Sequence, residues 1–591
     1  MWNLVNYLAS NKIKHTYEPP KLLIDNNYVS DPEDICQIFN QYFSTIGSTL
    51  AKQIPKYFHN NFSHVLPKTS NLIIDCNSKL STLEPCTITE INKIICNLDN
   101  NCSVGIDGIS TKVIKCIVNI IATPLTQCFN KLLFNGTFPD SLKIAKVTPI
   151  HKSGIKTDPG NYRPISVLPV LSKVLEKILY NRLHKYFETI NFISERQYGF
   201  RPKSSTLSAT VDLVSKIKHS IDNKNVVLGI FIDIKKAFDT VSHKLLIKKL
   251  ESIGVNGNAL KMFESYLINR FQIVKIGKYQ SKALPITCGV PQGSILGPLL
   301  FLAYINNIQD LGLHGHITLY ADDTCLFYFG PSIKNLIPQA QADLNTLSTW
   351  FQHNLLTINI QKTCYIIFKA KNKLIPPHDP LTIDNIPLQQ KNTEKYLGLR
   401  IDSNLTWNTQ IEYINSKLTS INGSIRNLAH CIPQKLRYTI YNTLVKPHLL
   451  YLIEIWGSAT KTRLAHLQIA QNKVIKNLFR YPFRTSTIKI YSDTKIMNIH
   501  QLYTYSTCVF IWKILNKKIH TNISFKKLQS YSKRRASFLA IPKVRPSYGS
   551  KTLTHEGALL YNKIPAHIKN VSSLNAFKSK LLQHIRTGAS Q

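Results

Sequence analysis

The sequence is short of acid. Its 591 residues carry 33 Asp and Glu against 73 Lys and Arg, a net charge of +40. A folded chain with that excess repels itself unless a polyanion neutralises it, so nucleic acid is the leading partner class. Cysteine pairs are missing too: none of the twelve cysteines forms a C-x-x-C. That pattern argues against a zinc knuckle or redox pair and for free thiols in a reducing compartment. No apolar run reaches the roughly 18–20 residues that cross a bilayer. The opening Met1-Trp2-Asn3-Leu4-Val5-Asn6-Tyr7 lacks the basic-then-apolar layout of a signal peptide. Repeats with a period of about 20–50 residues are absent, which excludes solenoids and propellers. No basic amphipathic helix suits a membrane surface, so no membrane partner is expected. What the chain does have is core material: 43% hydrophobic and 10% aromatic residues. That suffices for several domains of about 100–200 residues each.

The first 70 or so residues are polar and rich in Asn. Within them Ile35, Phe39, Tyr42, Phe43, Ile46 and Leu50 fall at helical spacing, with nothing that looks catalytic. From Thr87 to Leu133 two helical patterns flank a Gly/Asp turn, and Phe138 to Pro169 is punctuated by Pro and Gly. Val170 to Phe187 reads as a helix. The β-branched run Val226 to Ile234 predicts a buried strand with Asp233 near its end, and Ala237 to Ile253 a helix. His316–Tyr320 and Thr324–Phe329 are two strand-like runs separated only by Ala321-Asp322-Asp323, a tight hairpin with two acids at its tip. Beyond Leu399 the pattern is helical, with amphipathic stretches Ile411 to Ile425 and Leu464 to Phe479. From Thr521 onward thirteen Lys or Arg face one acid, Glu556.

Asp233, Asp322 and Asp323 are the chemically loaded residues. An Asp-Asp pair alone is an ordinary exposed turn. Between two apolar strands, and matched by an upstream strand-end Asp, it instead suggests carboxylates converging at one sheet edge, which are costly to bury uncompensated. Hard divalent cations take such oxygen ligands, and Mg²⁺ adds substrate phosphates to its shell. Two ions about 4 Å apart clamp the attacking and leaving oxygens of an in-line phosphoryl displacement.

With these residues in view, the sequence resembles the reverse transcriptases of non-LTR (LINE-type, jockey-like) retrotransposons. Tyr320-Ala321-Asp322-Asp323 is similar to their Y/F-x-D-D motif, and Phe231-Ile232-Asp233-Ile234-Lys235-Lys236-Ala237-Phe238-Asp239 to their first palm motif. Gly289-Val290-Pro291-Gln292-Gly293-Ser294 resembles the P-Q-G turn between them. Asn161-Tyr162-Arg163-Pro164-Ile165-Ser166 and Gln197-Tyr198-Gly199-Phe200-Arg201 resemble finger motifs. Asn359-Ile360-Gln361-Lys362 and Lys395-Tyr396-Leu397-Gly398 resemble the two motifs after the hairpin. Seven motifs in order make the signal specific, and the likeness runs from about Leu83 to the C-terminus, through Trp456-Gly457 and Phe577-Lys578.

The resemblance implies an RNA-directed DNA polymerase that extends a DNA 3′-OH with deoxynucleoside triphosphates on an RNA template. Its cofactor would be two Mg²⁺, with Mn²⁺ as a substitute. Asp233 and Asp322 would hold the metals with the backbone carbonyl of Ile234, and Asp323 would lie beside them. Phe238 would be a steric gate against the 2′-OH. Gln292 and Gly293 would lie against the nucleotide, the Gly letting the backbone approach and the Gln giving a donor near the sugar. Arg163 and Lys152 would grip the triphosphate, and Lys362 would protonate pyrophosphate. Arg201 would touch the template backbone, and Leu397 and Gly398 would grip the primer end.

The fold implied is α+β, a right-hand polymerase with an antiparallel palm sheet. Residues 1–82 form an N-terminal linker or extension, 83–402 fingers and palm (dividing near Asn225), 403–490 a helical thumb and 491–591 a basic, helical C-terminal region. Such elements carry an endonuclease of roughly 200 residues before the polymerase. Only about 80 mostly polar residues precede the first finger motif here, so a truncated copy, a fragment of a longer frame or a host gene that kept only the polymerase is expected. Neither a ribonuclease H constellation nor a Cys/His knuckle follows. An active copy would be found in nucleus and cytoplasm. The alternative from another class is a catalytically idle nucleic-acid-binding remnant or co-opted copy, whose affinity would rest on charge alone.

Overall fold

The computed structural model describes residues 20–55, 57–60, 79–528, 538–545 and 548–587. Met1–Tyr7, Cys76 and the basic run Lys533–Arg535 lie outside the described residues. The elements that frame the site are, in chain order, helix α1 (Pro32–Lys52), strands β1 (Ala145–His151) and β2 (Tyr162–Val167), and helix α2 (Thr206–Asp222). Strands β3 (Val226–Ile232), β4 (Arg270–Ile276), β5 (His316–Tyr320), β6 (Asp323–Gly330), β7 (Cys364–Phe368) and β8 (Gln389–Gln390) follow. Helices α3 (Asn408–Leu428), α4 (Lys461–Phe479) and α5 (Ile499–Leu515) complete the set. The fold is mixed helix and sheet. No helix among the described residues is long and apolar enough to cross a membrane, and the described cysteines are free.

The central sheet runs β8-β7-β3-β6-β5, with β3 antiparallel to both neighbours. Every residue of β3 is buried, for a reason visible in its period of two. Val226, Leu228, Ile230 and Ile232 enter one apolar core, while Val227 and Phe231 enter another on the opposite face. Gly229 leaves the room that the rings of Phe327 and Phe368 fill, since a Cβ there would lie 2.7 and 2.9 Å from them.

The first core packs the helices of residues 88–189 beneath the sheet, with three helices, Ile88–Asn97, Thr111–Cys116 and Val118–Asn135, where two patterns were expected. The second core joins the sheet to α3, α4 and α5 and continues to Ile585, taking in residues on both sides of position 490. Polar contacts tie the C-terminal region to α2. Lys218 donates to the Ser458 hydroxyl (3.2 Å) and the Lys551 carbonyl (2.6 Å), and the Asp222 carboxylate accepts from the backbone of Gly549 and Arg545 at 3.1 Å each.

A second sheet runs β2-β1-β4 and on to Tyr279–Gln280. Helix α1 lies on it. Asp31 caps α1 by accepting from Glu33 and Asp34 N–H (3.0 Å each), and Pro32 occupies the first turn. Its Ile35, Cys36, Phe39 and Phe43 meet Val147, Tyr162, Val274 and Ile276 in a third core.

One expected helix is shorter than its periodicity. The Ala237–Ile253 pattern becomes a helix only from His243, capped by Ser242. Before it Lys236 takes φ +49°, and a turn bond from Asp239 N–H to Lys236 O (2.8 Å) closes the chain around the site.

Candidate active site

The hairpin tip is a two-residue turn. Tyr320 pairs with Asp323, so only Ala321 and Asp322 lie between β5 and β6. Ala321 has φ +55°, a left-handed conformation that a residue with a Cβ adopts at a cost of about 1–3 kcal/mol. The segment before α2 holds it there. Tyr198 N–H donates to Leu319 O and Leu319 N–H to Arg196 O, both at 2.9 Å, which seats 196–199 along the edge strand. The buried side-chain oxygen of Gln197 then accepts from both Gly199 N–H (2.8 Å) and Ala321 N–H (2.9 Å). Gly199 must be glycine here: a Cβ would fall 2.2 Å from Ala321 N.

Register does the rest. Thr324 pairs with Ile232, the last residue of β3, so the end of β3 lies beside the start of β6. After Ile232 the chain leans toward the loop before β7. Asn359 N–H donates to Asp233 O and Lys235 N–H to Thr357 O, making an antiparallel bridge between Ile234 and Ile358. In such a bridge the peptide groups of Ile234 itself point away from Ile358, toward the β6 side. The Asn359 side chain donates to Asp233 Oδ2 at 3.0 Å and orients that carboxylate.

Asp233, Ile234 and Asp322 line one cleft of about 450 Å³, with Lys152, Arg163, Lys236, Phe238, Asp239, Gln292 and Lys362. Lys152 and Arg163 are brought together by the β1–β2 hairpin. Ile150 pairs with Arg163, and Lys152 N–H donates to Asn161 O (2.9 Å), so eleven positions of sequence fold back to one edge. Desolvation raises the Asp322 carboxyl above its usual range. Its own backbone N–H, Lys152 and Arg163 oppose that rise, and Asp233 adds to it. Asp323 is pushed up to about 6 by desolvation and by the Asp322 and Asp233 carboxylates, although part of its surface meets solvent.

Several site residues sit differently from expectation. Among the described residues no three His, Cys, Asp or Glu side chains gather to hold a metal ion. Asp323 is outside the cleft lining, so of the three expected acids only Asp233 and Asp322 face the cleft, where Asp239 joins them. Gly293 is also outside it: its φ of +116° serves a close approach to β2, where a Cβ would lie 2.6 Å from Ser166 O and Ser166 N–H donates to Gln292 O (2.7 Å). The Gln292 amide nitrogen does not face a ligand but donates to both oxygens of Asp239 (2.8 and 3.0 Å). Burial raises the Asp239 carboxyl to about 6, against the pull of Gln292 and Lys236. Arg201 lies outside the cleft, half-buried, and donates to Ser194 O at 2.8 Å.

Phe238 stacks on Phe301 with ring centroids 4.4 Å apart, and Phe200 meets it edge-on at 6.1 Å. Leu397 and Gly398, at φ +46° and +85°, make the turn between Thr393–Tyr396 and Leu399–Asp402. Tyr451 donates its hydroxyl to Leu397 O (2.5 Å). Burial, then Tyr451 and Asp323, push the Tyr320 hydroxyl up, and neither Leu397 nor Gly398 lines the cleft.

Gln197, Asn359 and Asp239 hold positions in this arrangement that the sequence reading did not assign, and Tyr42 lines the cleft, also unassigned. The first three fall inside quoted motifs, which was a usable signal; Tyr42 had only its place in a helical stripe.

Residues 150–401 match the family described as reverse transcriptase (RNA-dependent DNA polymerase). The chain is 29% identical over 429 residues to the probable RNA-directed DNA polymerase from transposon BS of Drosophila melanogaster, covering 71% of this chain and 47% of that protein. It is 28% identical over 437 residues to the corresponding protein from transposon X-element, covering 73% and 47%. With the RNA-directed DNA polymerase from mobile element jockey, also of Drosophila melanogaster, it shares 27% over 465 residues, covering 76% and 48%. The chain thus spans about half the length of the curated relatives it matches. Residues 150–401 thus resemble reverse transcriptases, and the relatives over most of the chain are named as RNA-directed DNA polymerases of transposons and mobile elements.

Proposed function

We propose that this chain is an RNA-directed DNA polymerase that extends a DNA 3′-OH on an RNA template with deoxynucleoside triphosphates, as in target-primed retrotransposition. The observation that carries the reading is the shared cleft. Acids from β3 and the β5–β6 turn, cations from the β1–β2 hairpin and an aromatic ring all open onto one space of about 450 Å³. In this reading 83–225 are fingers, 226–402 palm and 403–490 thumb of a right hand, and 491–591 add a basic face.

The donor set fits a divalent metal of the hard kind. Two carboxylates and a backbone carbonyl offer oxygen only, and phosphate oxygens and water complete such a shell. Asp233, Asp322 and the Ile234 carbonyl would hold magnesium, in two ions on this reading. When bound, magnesium supplies positive charge that lowers the pKa of the primer hydroxyl and neutralises departing pyrophosphate. Asn359 keeps the Asp233 carboxylate aimed into the cleft, and Gln197 keeps the hairpin turn in place. Arg163 and Lys152 bind the triphosphate as a planar fork and a point charge. The Phe238 ring, fixed by Phe301, occupies the room a 2′-OH would need. Lys362 Nζ gives a proton to the leaving pyrophosphate oxygen. The turn at Leu397-Gly398 bears on the primer end.

Binding of primer and template rests on phosphate contacts, so it carries little sequence preference and falls steeply with salt. The test is extension of a DNA primer on an RNA template with Mg²⁺ or Mn²⁺. Template-dependent incorporation supports the proposal. Salt-sensitive binding without any incorporation overturns it in favour of an idle nucleic-acid binder.

A further inference from the structure

Helix α1 is bound into the site more tightly than its place so far ahead of the matched domain suggests. Asn40 Nδ2 donates to Lys282 O (2.7 Å), Ser281 Oγ (2.9 Å) and Gln272 O (3.2 Å), which fixes the helix on the second sheet. Phe39 meets Tyr162 edge-on at 4.8 Å. Two turns on, Gly47 lies against the backbone of the segment that carries Asp239. A Cβ there would come within 2.2 Å of Asp239 O and 2.5 Å of Cys288 Sγ, so the helix can approach only because this position lacks one.

That approach turns a second face of α1 toward the cleft. Tyr42, Ile46 and Leu50 line it on the same space as Asp233, Asp322 and Lys152. Tyr42 stands at the cationic end. The Lys236 ammonium lies 5.5 Å from its ring centroid, while donating to Gly160 O (2.9 Å) and Tyr162 O (3.1 Å). Lys152 and Lys362 are close enough to act on Lys236 electrostatically. Gly160 sits against Tyr42, since a Cβ there would be 3.2 Å from the Tyr42 hydroxyl. That hydroxyl makes no hydrogen bond among the described residues. Desolvation, then Asp158 and Asp239, push it up to about 12, so at neutral pH it keeps its proton and can donate. A half-buried donor without a partner among the described residues is open to water or to ligand.

We propose that α1 is a wall of the nucleotide site and that Tyr42 donates its hydroxyl to the phosphate end of the incoming nucleoside triphosphate. Ile46 and Leu50 give that wall its apolar surface. The inference rests on reading this cleft as the nucleotide site.

The test uses the full chain and its Tyr42→Phe and Tyr42→Leu variants. Tyr42→Phe keeps the ring and the packing and removes only the donor. Extension of a DNA primer on an RNA template gives KM for the nucleotide and kcat, and filter binding gives Kd for primer–template. Calorimetry of dTTP binding gives nucleotide affinity without turnover. A hydrogen bond to a charged phosphate lost in Tyr42→Phe should raise KM and weaken dTTP binding about tenfold, leaving kcat and primer–template Kd unchanged. Tyr42→Leu should lose more, because Lys236 also loses its aromatic cover. Unchanged KM and unchanged dTTP affinity in both variants overturn the inference. So does weakened primer–template binding at constant KM, which would turn α1 toward the nucleic acid. A wild-type chain that binds dTTP through Tyr42 yet extends nothing would instead overturn the polymerase reading and leave this one standing.

Discussion

The side-chain oxygen of Gln197 accepts the backbone N–H of Ala321 at 2.9 Å and so holds the left-handed residue on which Asp322 depends. Gln197 is buried and pairs with Gly199 N–H as well. Gln197→Leu therefore leaves two backbone donors unsatisfied. The expected cost is about 1–3 kcal/mol of stability per stranded group at most. Incorporation should fall further than stability does, because the turn that carries Asp322 relaxes. Denaturant melts and single-nucleotide incorporation on the same preparation check this; equal activity at reduced stability would contradict it.

Asn359 tests the orientation of Asp233. Its amide is the side-chain donor to Asp233 Oδ2. Removing a group that orients a metal ligand typically costs about 10–100-fold in metal affinity or activity. Asn359→Ala should shift the Mg²⁺ concentration for half-maximal extension upward by that order. A magnesium titration that overlays the wild-type curve would remove the orienting role.

Asp239 gives a pH dependence with a definite sign. Its carboxyl rises from 3.8 to about 6 on folding, chiefly through burial. The folded state therefore binds the extra proton between those values, and stability from this group is lost as pH rises from about 4 through 6. The full loss is about 3 kcal/mol at most, from the roughly two-unit shift. Asp239→Asn removes that slope. Urea melts at pH 4.5 and 7.5 should show the variant gaining on wild type as pH rises, and a parallel pair of curves would refute it.

Phe238 stacks on Phe301, and on the proposed reading that support braces the ring against a bulkier sugar. Phe238→Val should admit ribonucleotides, measured as the ratio of kcat/KM for dCTP over CTP, with dCTP use changed much less. An unchanged ratio would place the discrimination elsewhere.

Much of this was legible along the chain. Strand β3, the two-strand hairpin and the helices around Ile411 and Leu464 follow from apolar period and turn chemistry, which are local. The gathering of Lys152 and Arg163 at one edge needed a hairpin whose loop hides it in sequence. Asp239 and Gln292 sit in quoted motifs, yet only folding reveals that the amide is spent on that carboxylate. The start of the Ala237–Ile253 helix was misplaced because Lys236 and Asp239 form a turn that apolar spacing cannot report. Helix α1 was visible as a helix and invisible as a wall, since its contact with Asp239 depends on a missing Cβ at Gly47 and on no sequence neighbour.

The most direct measurement is single-turnover extension of a DNA primer on an RNA template by wild type and Asp322→Asn. The substitution keeps shape and removes the charge that Asp322 brings to the cleft. Incorporation should drop below detection while primer–template Kd stays within a factor of about two, since affinity rests on phosphate contacts. An Asp322→Asn protein that extends at the wild-type rate would contradict the account at its centre.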